Sequence, residues 1–183
     1  MEVISAESAY KVVFGASRVE LVKRETGPEL LLPLPLLAGC ETESWGSPGA
    51  HTRWVEPFLI SEHEESLIGA AMIEIKDRLE DPIAALYTRL LEITEGWHLY
   101  RIWNYVPEIN AAHGGLEHYR QFNIGRWTAF ESRFGRDLRA FLPAASAVGI
   151  HGRHAVVFFK AGKTKPVYFE NPSQVPAYHY PPD

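Results

Sequence analysis

The stretch HLYRIWNYVPEIN, residues 98–110, has the composition of a buried β-strand but carries an arginine among its aromatic side chains. Its branched and aromatic residues favour a strand, and Pro107 predicts where that strand ends. Strand alternation places Arg101, Trp103 and Tyr105 on one face and the intervening residues on the other. An arginine fork suits a carboxylate, and an aromatic wall suits a flat ring. We therefore expect this face to line a pocket for a small anion.

In a second interpretation, Arg101 has only a structural role and binds no ligand. It would then pair with an acid such as Glu74 or Glu108, and Trp103 and Tyr105 would belong to an ordinary core. Buried charges are usually paired in this way. Judged on spacing alone, the packing interpretation is favoured. Both interpretations stay open at this point.

Two helices are predicted beside this strand. In the segment DPIAALYTRLLEITEG, Asp81 is the expected N-cap, Pro82 the first helical position and Gly96 the stop signal. A second helix is expected from about Leu116 to Phe134, since apolar residues recur there at helical spacing. The residues expected near its apolar face are Leu116, Tyr119, Trp127, Phe130 and Phe134.

Strands are predicted on both sides of the two helices. The segments are AYKVVFG, RVELVK, WVEPFLI and LIGAAMIEI before them, and AASAVGI, AVVFFKA and KPVYFEN after them. In the segment 27–53 the prolines are expected to exclude a regular ladder, and the Gly/Ser-rich end is expected to be an exposed loop. This order predicts an α+β domain in which two helices cover one face of a mixed sheet. We assign residues 1–52, with the N-terminal strands and the Pro/Gly-rich loop, to the same domain as residues 53–183.

Composition excludes several classes of function. The chain is 46% hydrophobic and 22% charged, as globular proteins are. Its net charge of −5 argues against a nucleic-acid partner, although residues 101–183 carry a net charge of +4 that suits a local anion site. No run of about 18 apolar residues is present, so a membrane span is not expected. The single Cys40 cannot form an intrachain disulfide, and a cytoplasmic location is expected.

Few residues are suited to metal binding or to acid–base chemistry. The histidine pairs in HGRH and HGGLEH have no evident acidic or cysteine partner, so a metal site is not expected. Cys40 lies in a Pro/Gly loop without a neighbouring base, which gives a nucleophilic role little support. Glu170, in YFENP, is a candidate general acid if it is buried, although a glutamate at a strand end is usually solvated.

Four segments in this order, RIWNYVPEIN, GLEHYRQFNIGR, LPAASAVGI and YFENPSQVPAYHYP, resemble the chorismatase family over roughly residues 53–180. Enzymes of that family cleave chorismate into pyruvate and a dihydro-dihydroxybenzoate or a hydroxybenzoate, often for secondary metabolism. The resemblance implies a fold like that of the YjgF/RidA deaminases, which is also chorismate-mutase-like. This chain looks like the first of the two such domains in the family, and the resemblance implies no cofactor.

The resemblance also implies roles for particular residues. Arg101 and Tyr105 are similar in position to groups that reach the substrate, with Trp103 as the aromatic wall beside them. Arg120, Gln121 and Arg126 belong to the YRQFNIGR signature and are the further substrate-binding candidates.

The length of the chain departs from the family pattern. Family chains continue past the AYHYP motif into a second domain with the acidic proton donor, whereas this sequence stops at Asp183. The resemblance thus implies half of a chorismate-hydrolysing enzyme that a second chorismatase-like chain completes. The alternative is a non-catalytic binding or scaffold domain. A homo-oligomer is expected, with a trimer favoured, as in the deaminases.

Overall fold

The computed structural model describes residues 10–46, 49–135, 138, 141–167 and 173. Within these residues the chain forms twelve strands and two helices. They are β1 Tyr10–Phe14, β2 Glu20–Arg24, β3 Gly27–Leu32, β4 Thr42–Trp45, β5 His51–Val55, β6 Phe58–His63, β7 Ser66–Glu74, α1 Glu80–Ile93, β8 His98–Pro107, β9 Ala112–His113, β10 Leu116–Glu117, α2 His118–Phe134, β11 Ala144–Ile150 and β12 His154–Gly162. In this part of the chain neither helix is long and apolar enough to cross a membrane.

A six-stranded mixed sheet forms the centre of the molecule. Its strand order is β11-β8-β12-β7-β6-β5, and β8 pairs in parallel with β11 but antiparallel with β12. Both helices lie on one face of this sheet, where they enclose a core that includes Ile83, Leu90, Ile102 and Phe159. The predicted α+β class, with two helices on one face of a mixed sheet, is confirmed.

A second, smaller sheet covers the opposite face of the six-stranded sheet. Its order is β2-β3-β1-β4, and its inward side chains form a separate core with residues of β6, β7, β8 and β12. Tyr10 of β1 is fully buried there, and its hydroxyl donates a hydrogen bond to the Leu59 carbonyl at 3.2 Å. The molecule therefore has three layers, and the third one was not predicted.

The segment Gly27–Arg53 is the main error of the sequence-based prediction. Its prolines were expected to exclude a regular ladder, but it contains β3 and β4 and the start of β5. Every second residue of β3 is buried, among them Leu30 and Leu32. Pro28 lies at the start of this strand and Pro33 just after its end, so the ladder loses few hydrogen bonds to them. The prolines limit the strand rather than prevent it.

The segment WVEPFLI was predicted as one strand and is two. Glu56 and Pro57 form a turn between β5 and β6, which pair antiparallel with Val55 opposite Phe58. Pro57 cannot donate to a ladder, and this explains the break. The predicted boundary between residues 52 and 53 falls inside β5.

Both helices differ in detail from their predictions. Helix α1 begins at Glu80, and Asp81 lies in its first turn rather than at the N-cap. Acidic residues there still interact favourably with the helix dipole. On α2, Tyr119 and Trp127 are 43% and 47% exposed, so their predicted place on a buried face is wrong. The buried residues of α2 are Gln121, Phe122, Gly125, Ala129 and Phe130.

Small residues decide which face of α2 is buried. A Cβ atom at Gly125 would overlap the carbonyl oxygen of Glu80 and would lie 2.9 Å from Cβ of Ile83. The two helices thus approach so closely that only glycine fits at this position. Gly125 and Ala129 share the buried face with Phe122 and Phe130, and such small residues add little to a pattern of large apolar residues.

Two predictions lie largely or wholly outside the described residues. The strand KPVYFEN was predicted over residues 165–171, of which only residues 165–167 are described, and these are not in a strand. The irregular proline-rich tail covers residues 172–183, of which only Ser173 is described.

We expect the substitution Gly125→Ala to destabilise the fold. The added methyl group must displace the backbone of α1, and overpacking of this kind typically costs about 1–3 kcal/mol. The better helix propensity of alanine, worth up to about 1 kcal/mol, offsets only part of this cost. Urea denaturation followed by circular dichroism measures the change in the free energy of unfolding.

Ser132→Ala is the matched control, because it adds no atoms and lies on an exposed position of the same helix. It should change the free energy of unfolding by less than about 0.5 kcal/mol. If Gly125→Ala proved as stable as this control, the close contact between α1 and α2 would be wrong.

Candidate functional site

Strand β8 presents its side chains alternately to the two cores. Ile102 and Val106 are fully buried under the helices, whereas Trp103 and Tyr105 face the four-stranded sheet. Arg101 belongs to the face of Trp103, and its guanidinium carbon lies 5.5 Å from the centre of the Trp103 ring. The predicted shared face of these three residues is confirmed by the contacts.

Trp45 from β4 packs against this face of β8. The Trp45 and Trp103 rings have centroids 5.0 Å apart at an interplanar angle of 59°. Phe158 of β12 contacts both, with centroid distances of 6.0 Å to Trp45 and 5.2 Å to Trp103. Trp45 was not among the predicted site residues, because its segment was predicted to be a loop. The result is an apolar wall built from three strands.

A second cation lies directly beside Arg101. Lys160 of β12 is the register partner of Arg101 in the antiparallel β12–β8 pair, so both side chains share a face. The Lys160 ammonium nitrogen lies 5.9 Å from the centre of the Trp45 ring. Both cations are partly buried. We call Trp45, Arg101, Trp103 and Lys160 the cation–tryptophan site.

Neither cation of this site has an ion-pair partner within the described part of the chain. The alternative pairing of Arg101 with Glu108 is not formed, because Glu108 Oε1 lies 3.1 Å from His151 Nδ1 and 3.2 Å from the Gly152 amide nitrogen. Like charges directly opposite each other in a sheet are destabilising. The two positive charges of the site therefore lie side by side without an ion pair among the described residues, although Glu43 shares the face of Trp45.

The Trp45 indole adds an unused hydrogen-bond donor. Its Nε1 atom is buried and has no acceptor among the residues described. A buried donor without a partner usually costs about 1–3 kcal/mol. Two cations and two indole rings in one place are the kinds of group that suit a flat anion.

Tyr105 lies next to this site on β8 and is 7% exposed. Burial, with a smaller contribution from the Glu43 carboxylate, raises the pKa of the Tyr105 hydroxyl to about 12. The hydroxyl is therefore neutral and able to donate a hydrogen bond at physiological pH. Glu43 precedes Trp45 by two residues on β4, so their side chains share a face of that strand.

The side chain of Gln121 on α2 forms hydrogen bonds with backbone groups of neighbouring elements. The side chain is fully buried, and its Oε1 accepts a hydrogen bond of 3.0 Å from the Leu79 amide. Its Nε2 donates to the carbonyls of His113 and Leu116 at 2.9 Å and 2.8 Å. These bonds join the start of α1 to the β9–β10 hairpin, so Gln121 positions the elements around it.

Arg126 lies in the helical layer, on the other side of the six-stranded sheet from Arg101. Its guanidinium carbon is 5.5 Å from the Phe130 ring centre and 6.0 Å from that of Tyr87. Its buried Nε atom has no partner in the described part of the chain. The Tyr87 hydroxyl donates to Oδ1 of Asn104.

The predicted site residues thus fall into two groups on opposite faces of the sheet. Arg101, Trp103 and Tyr105 lie together, whereas Gln121 and Arg126 belong to the helical layer. Arg120 is exposed on α2. Glu170 lies outside the described residues.

The histidines and the cysteine do not join this site. His113 Nε2 lies 2.7 Å from Asp77 Oδ1 at an exposed position, and Cys40 is exposed. Across the described residues, no three His, Cys, Asp or Glu side chains come together in a way that could hold a metal ion. Arginine, lysine, tyrosine and tryptophan are therefore the groups from which the site is built.

These features define an α+β protein with an unpaired cation pair on an aromatic wall. The family model for chorismatase FkbO/Hyg5-like, N-terminal, matches residues 43–161. The chain therefore belongs to the chorismatase FkbO/Hyg5-like family. The matched segment contains all four residues of the cation–tryptophan site.

Individual relatives agree with this assignment. The chain is 38% identical over 120 residues to a chorismatase of Streptomyces hygroscopicus, covering 63% of this chain and 34% of that protein. It is 36% identical over 110 residues to a 3-hydroxybenzoate synthase of the same species, covering 57% of this chain and 32% of that protein. The chain thus spans about a third of the length of these curated relatives.

A solved structure extends the similarity to nearly the whole fold. The crystal structure of a chorismatase superposes with a TM-score of 0.83 at 27% identity, and the match covers 99% of this chain and 56% of that one. The four-stranded sheet, of which β1 and β2 were predicted as strands and β3 and β4 were not, therefore lies within the matched region.

The raised pKa of Tyr105 predicts a loss of stability at alkaline pH. The folded state holds the phenolic proton up to about pH 12, whereas the unfolded chain releases it near the ordinary tyrosine pKa of 10.0. The contribution of protonated Tyr105 to the free energy of unfolding is complete below pH 10. It is lost as the pH rises toward 12. Each pH unit in this interval lowers the free energy of unfolding by about 1.4 kcal/mol.

Urea denaturation of the wild type and of Tyr105→Phe at pH values from about 9 to about 11 tests this expectation. The free energy of unfolding should fall less steeply in the variant, because phenylalanine has no proton to release. Tyr10 and Tyr87 titrate alike in both proteins and cancel in the difference. Equal slopes would show that Tyr105 is not buried as described.

Proposed function

We propose that this chain binds chorismate or a related aromatic carboxylate at the cation–tryptophan site. The observation that carries the proposal is the guanidinium of Arg101, partly buried on the Trp103 ring without an acidic partner among the described residues. A planar fork of donors matches a carboxylate, and the indole faces match a flat ring. Tyr105, whose neutral hydroxyl lies beside them, supplies a further donor.

Membership of the family supports the same ligand class. Two of the relatives are named chorismatase and one 3-hydroxybenzoate synthase. The second name includes an aromatic carboxylate as product. We carry this chemistry over to the present chain as part of the proposal.

We propose further that the chain is one part of a chorismate-hydrolysing enzyme. In that reaction an acid protonates the methylene carbon of the enolpyruvyl group, and water adds to the adjacent cationic carbon. The added water returns one proton to the conjugate base of the acid, which gives a hemiketal. The hemiketal hydroxyl then loses its proton, the ether oxygen on the ring gains one as its bond to the former cationic carbon breaks, and pyruvate leaves. One water is consumed, and no cofactor is needed.

The acid in this reaction needs a pKa raised by a low-dielectric cleft. Arg101 and Lys160 cannot take this role, because both are needed as cations. We propose that a second chorismatase-like domain or chain supplies the acid. Glu170 is the candidate within this sequence.

We expect the substitution Arg101→Met to weaken the binding of chorismate at least tenfold. Loss of a charge-assisted bidentate contact removes about 1.5–3 kcal/mol of binding free energy, while methionine keeps contact with the indole ring. Isothermal titration calorimetry measures the dissociation constant, and a coupled assay follows pyruvate release by the same samples.

The control is Arg53→Met, since Arg53 is exposed and pairs with Glu62 at 2.9 Å on β5 and β6. It should bind chorismate as the wild type does. Binding without pyruvate release would identify a binding domain that needs a partner for catalysis. A wild-type protein that binds neither chorismate nor 3-hydroxybenzoate would overturn the proposed function.

We also propose that the fold is of the YjgF/RidA type and that the chain assembles as a homotrimer. Large apolar side chains exposed on α2 and β11 support an interface there, since Trp127 is 47% and Val148 46% exposed. Closed symmetric assemblies commonly cover such surfaces. Light scattering at micromolar concentration should give three times the chain mass, and the mass of a monomer would contradict the proposal.

A further inference from the structure

We propose that a cavity of about 510 Å³ between the ends of α1 and α2 is a second ligand site, which takes a flat aromatic molecule with a single negative charge. Its wall comes from the last turns of both helices, from the turn that leads into β8 and from the chain before β11. The volume is within the range of about 300–1,000 Å³ that is usual for small-molecule sites. None of the predicted site residues is among the described residues of this wall, and the inference does not rest on the proposed function.

The cavity and the cation–tryptophan site lie on opposite faces of the six-stranded sheet. Leu91 and Leu99 form part of the cavity wall, and both belong to the core under the helices, where they are 5% and 9% exposed. Trp103 instead packs against the core under the four-stranded sheet. The sheet therefore separates a ligand in this cavity from the cation–tryptophan site.

An irregularity in the pairing of β8 with β12 places Leu99 in the cavity wall. Lys160 pairs with Arg101, but the next residue, Ala161, pairs with Leu99, so Tyr100 has no partner opposite it. An extra residue of this kind changes the face to which neighbouring side chains point. Leu99 consequently packs under the helices, although it would share a face with Arg101 in a regular strand.

Aromatic rings form much of the apolar wall. Phe134 at the end of α2 stacks on Phe141, with ring centroids 4.3 Å apart and an interplanar angle of 7°. Phe141 is 49% exposed, so its ring keeps a free surface on which a ligand can pack. Trp97 adds an indole ring to the same wall. A flat, unsaturated ligand matches these rings best.

The charged residues of the wall, with His98 taken as neutral, leave one positive charge in excess. Arg133 pairs with Glu95 at 2.6 Å, so these two charges cancel. Lys165 also lines the cavity, and it forms no ion pair within the described part of the chain. One unpaired ammonium group favours a ligand with one negative charge. A second carboxylate would find no partner in this wall.

A neighbouring lysine, Lys163, has a separate role. Its ammonium nitrogen lies 3.5 Å from the centre of the Trp97 ring and donates a hydrogen bond to the Gly96 carbonyl at 3.2 Å. This carbonyl follows the end of α1, where the helix dipole favours a cation, and α1 has no basic residue in its last turn. Lys163 thus balances the helix end, and Lys165 stays available for a ligand.

The test compares two ligands that share a ring system and differ in charge. 2-Naphthoate carries one carboxylate, and 2-naphthamide has nearly the same shape without the charge. Calorimetry at fixed ionic strength uses the Arg101→Met protein, in which the cation–tryptophan site is impaired. We expect this protein to bind naphthoate at least about threefold more tightly than the amide, since only the carboxylate gains a charge-assisted contact with Lys165.

Two variants in the same background probe the charge and the ring separately. Lys165→Met should weaken naphthoate binding about threefold to tenfold and change amide binding less than about twofold. Phe141→Ala should weaken both ligands about threefold to tenfold, because each loses packing against a ring. Phe141→Leu keeps apolar volume if the alanine variant does not fold, and it should still weaken both ligands.

Lys76→Met is the control for general loss of charge, since Lys76 is exposed between β7 and α1. It should leave the affinities for naphthoate and the amide unchanged. In otherwise wild-type protein, Lys165→Met and Phe141→Ala should also leave the affinity for chorismate unchanged, because the cavity lies across the sheet from the cation–tryptophan site.

The outcomes separate this inference from the proposed function. Equal affinities for naphthoate and the amide, or an equal loss of both in Lys165→Met, would overturn the assignment of a singly charged ligand. Binding of neither ring compound, or a loss of chorismate affinity in the cavity variants, would overturn the second site as a whole. A wild-type protein that binds naphthoate in the cavity but no chorismate would contradict the proposed function alone.

Discussion

The position of β8 between two cores is the constraint on which the rest of the structure depends. Its Ile102 and Val106 fill the core under the helices, while Trp103 and Tyr105 fill the core under the four-stranded sheet. A strand covered on both faces normally carries apolar residues throughout. Arg101 is tolerated because an indole face offers its guanidinium a favourable electrostatic contact in place of water. The same contact holds the charge partly buried, at the edge of the interior.

The parts of the fold that local signals specify could be predicted from the sequence. The end of β8 at Pro107, the apolar stripe of α1 and the strands β11 and β12 follow from proline and from periodicity, which involve only neighbouring residues. Strands β3 and β4 could not be found in this way. The alternate burial of Leu30 and Leu32 arises from their packing on the six-stranded sheet, and the prolines around them favour a loop.

The candidate site was predictable to the same extent. Strand alternation is a local property, and it correctly grouped Arg101 with Trp103 and Tyr105. Lys160 and Trp45 depend on the register between strands that are distant in sequence, which composition does not reveal. A signal for Lys160 was nevertheless present, because it is the single charged residue in the predicted strand AVVFFKA. A cation in an otherwise apolar strand is costly to bury and is a reason to look for its partner.

Arg126, of the second group, is linked to the strand that carries the first group from the other side of the sheet. A ligand at the cation–tryptophan site cannot touch Arg126, since the sheet lies between them. Arg126 stacks on Tyr87, the Tyr87 hydroxyl donates to Asn104, and Asn104 Nδ2 donates to the Ser146 carbonyl on β11 at 2.8 Å. Asn104 lies between Trp103 and Tyr105, so these contacts hold the backbone from which both side chains project. A rigid support lowers the entropy lost on binding, and a buried polar network can therefore favour a ligand that it never contacts.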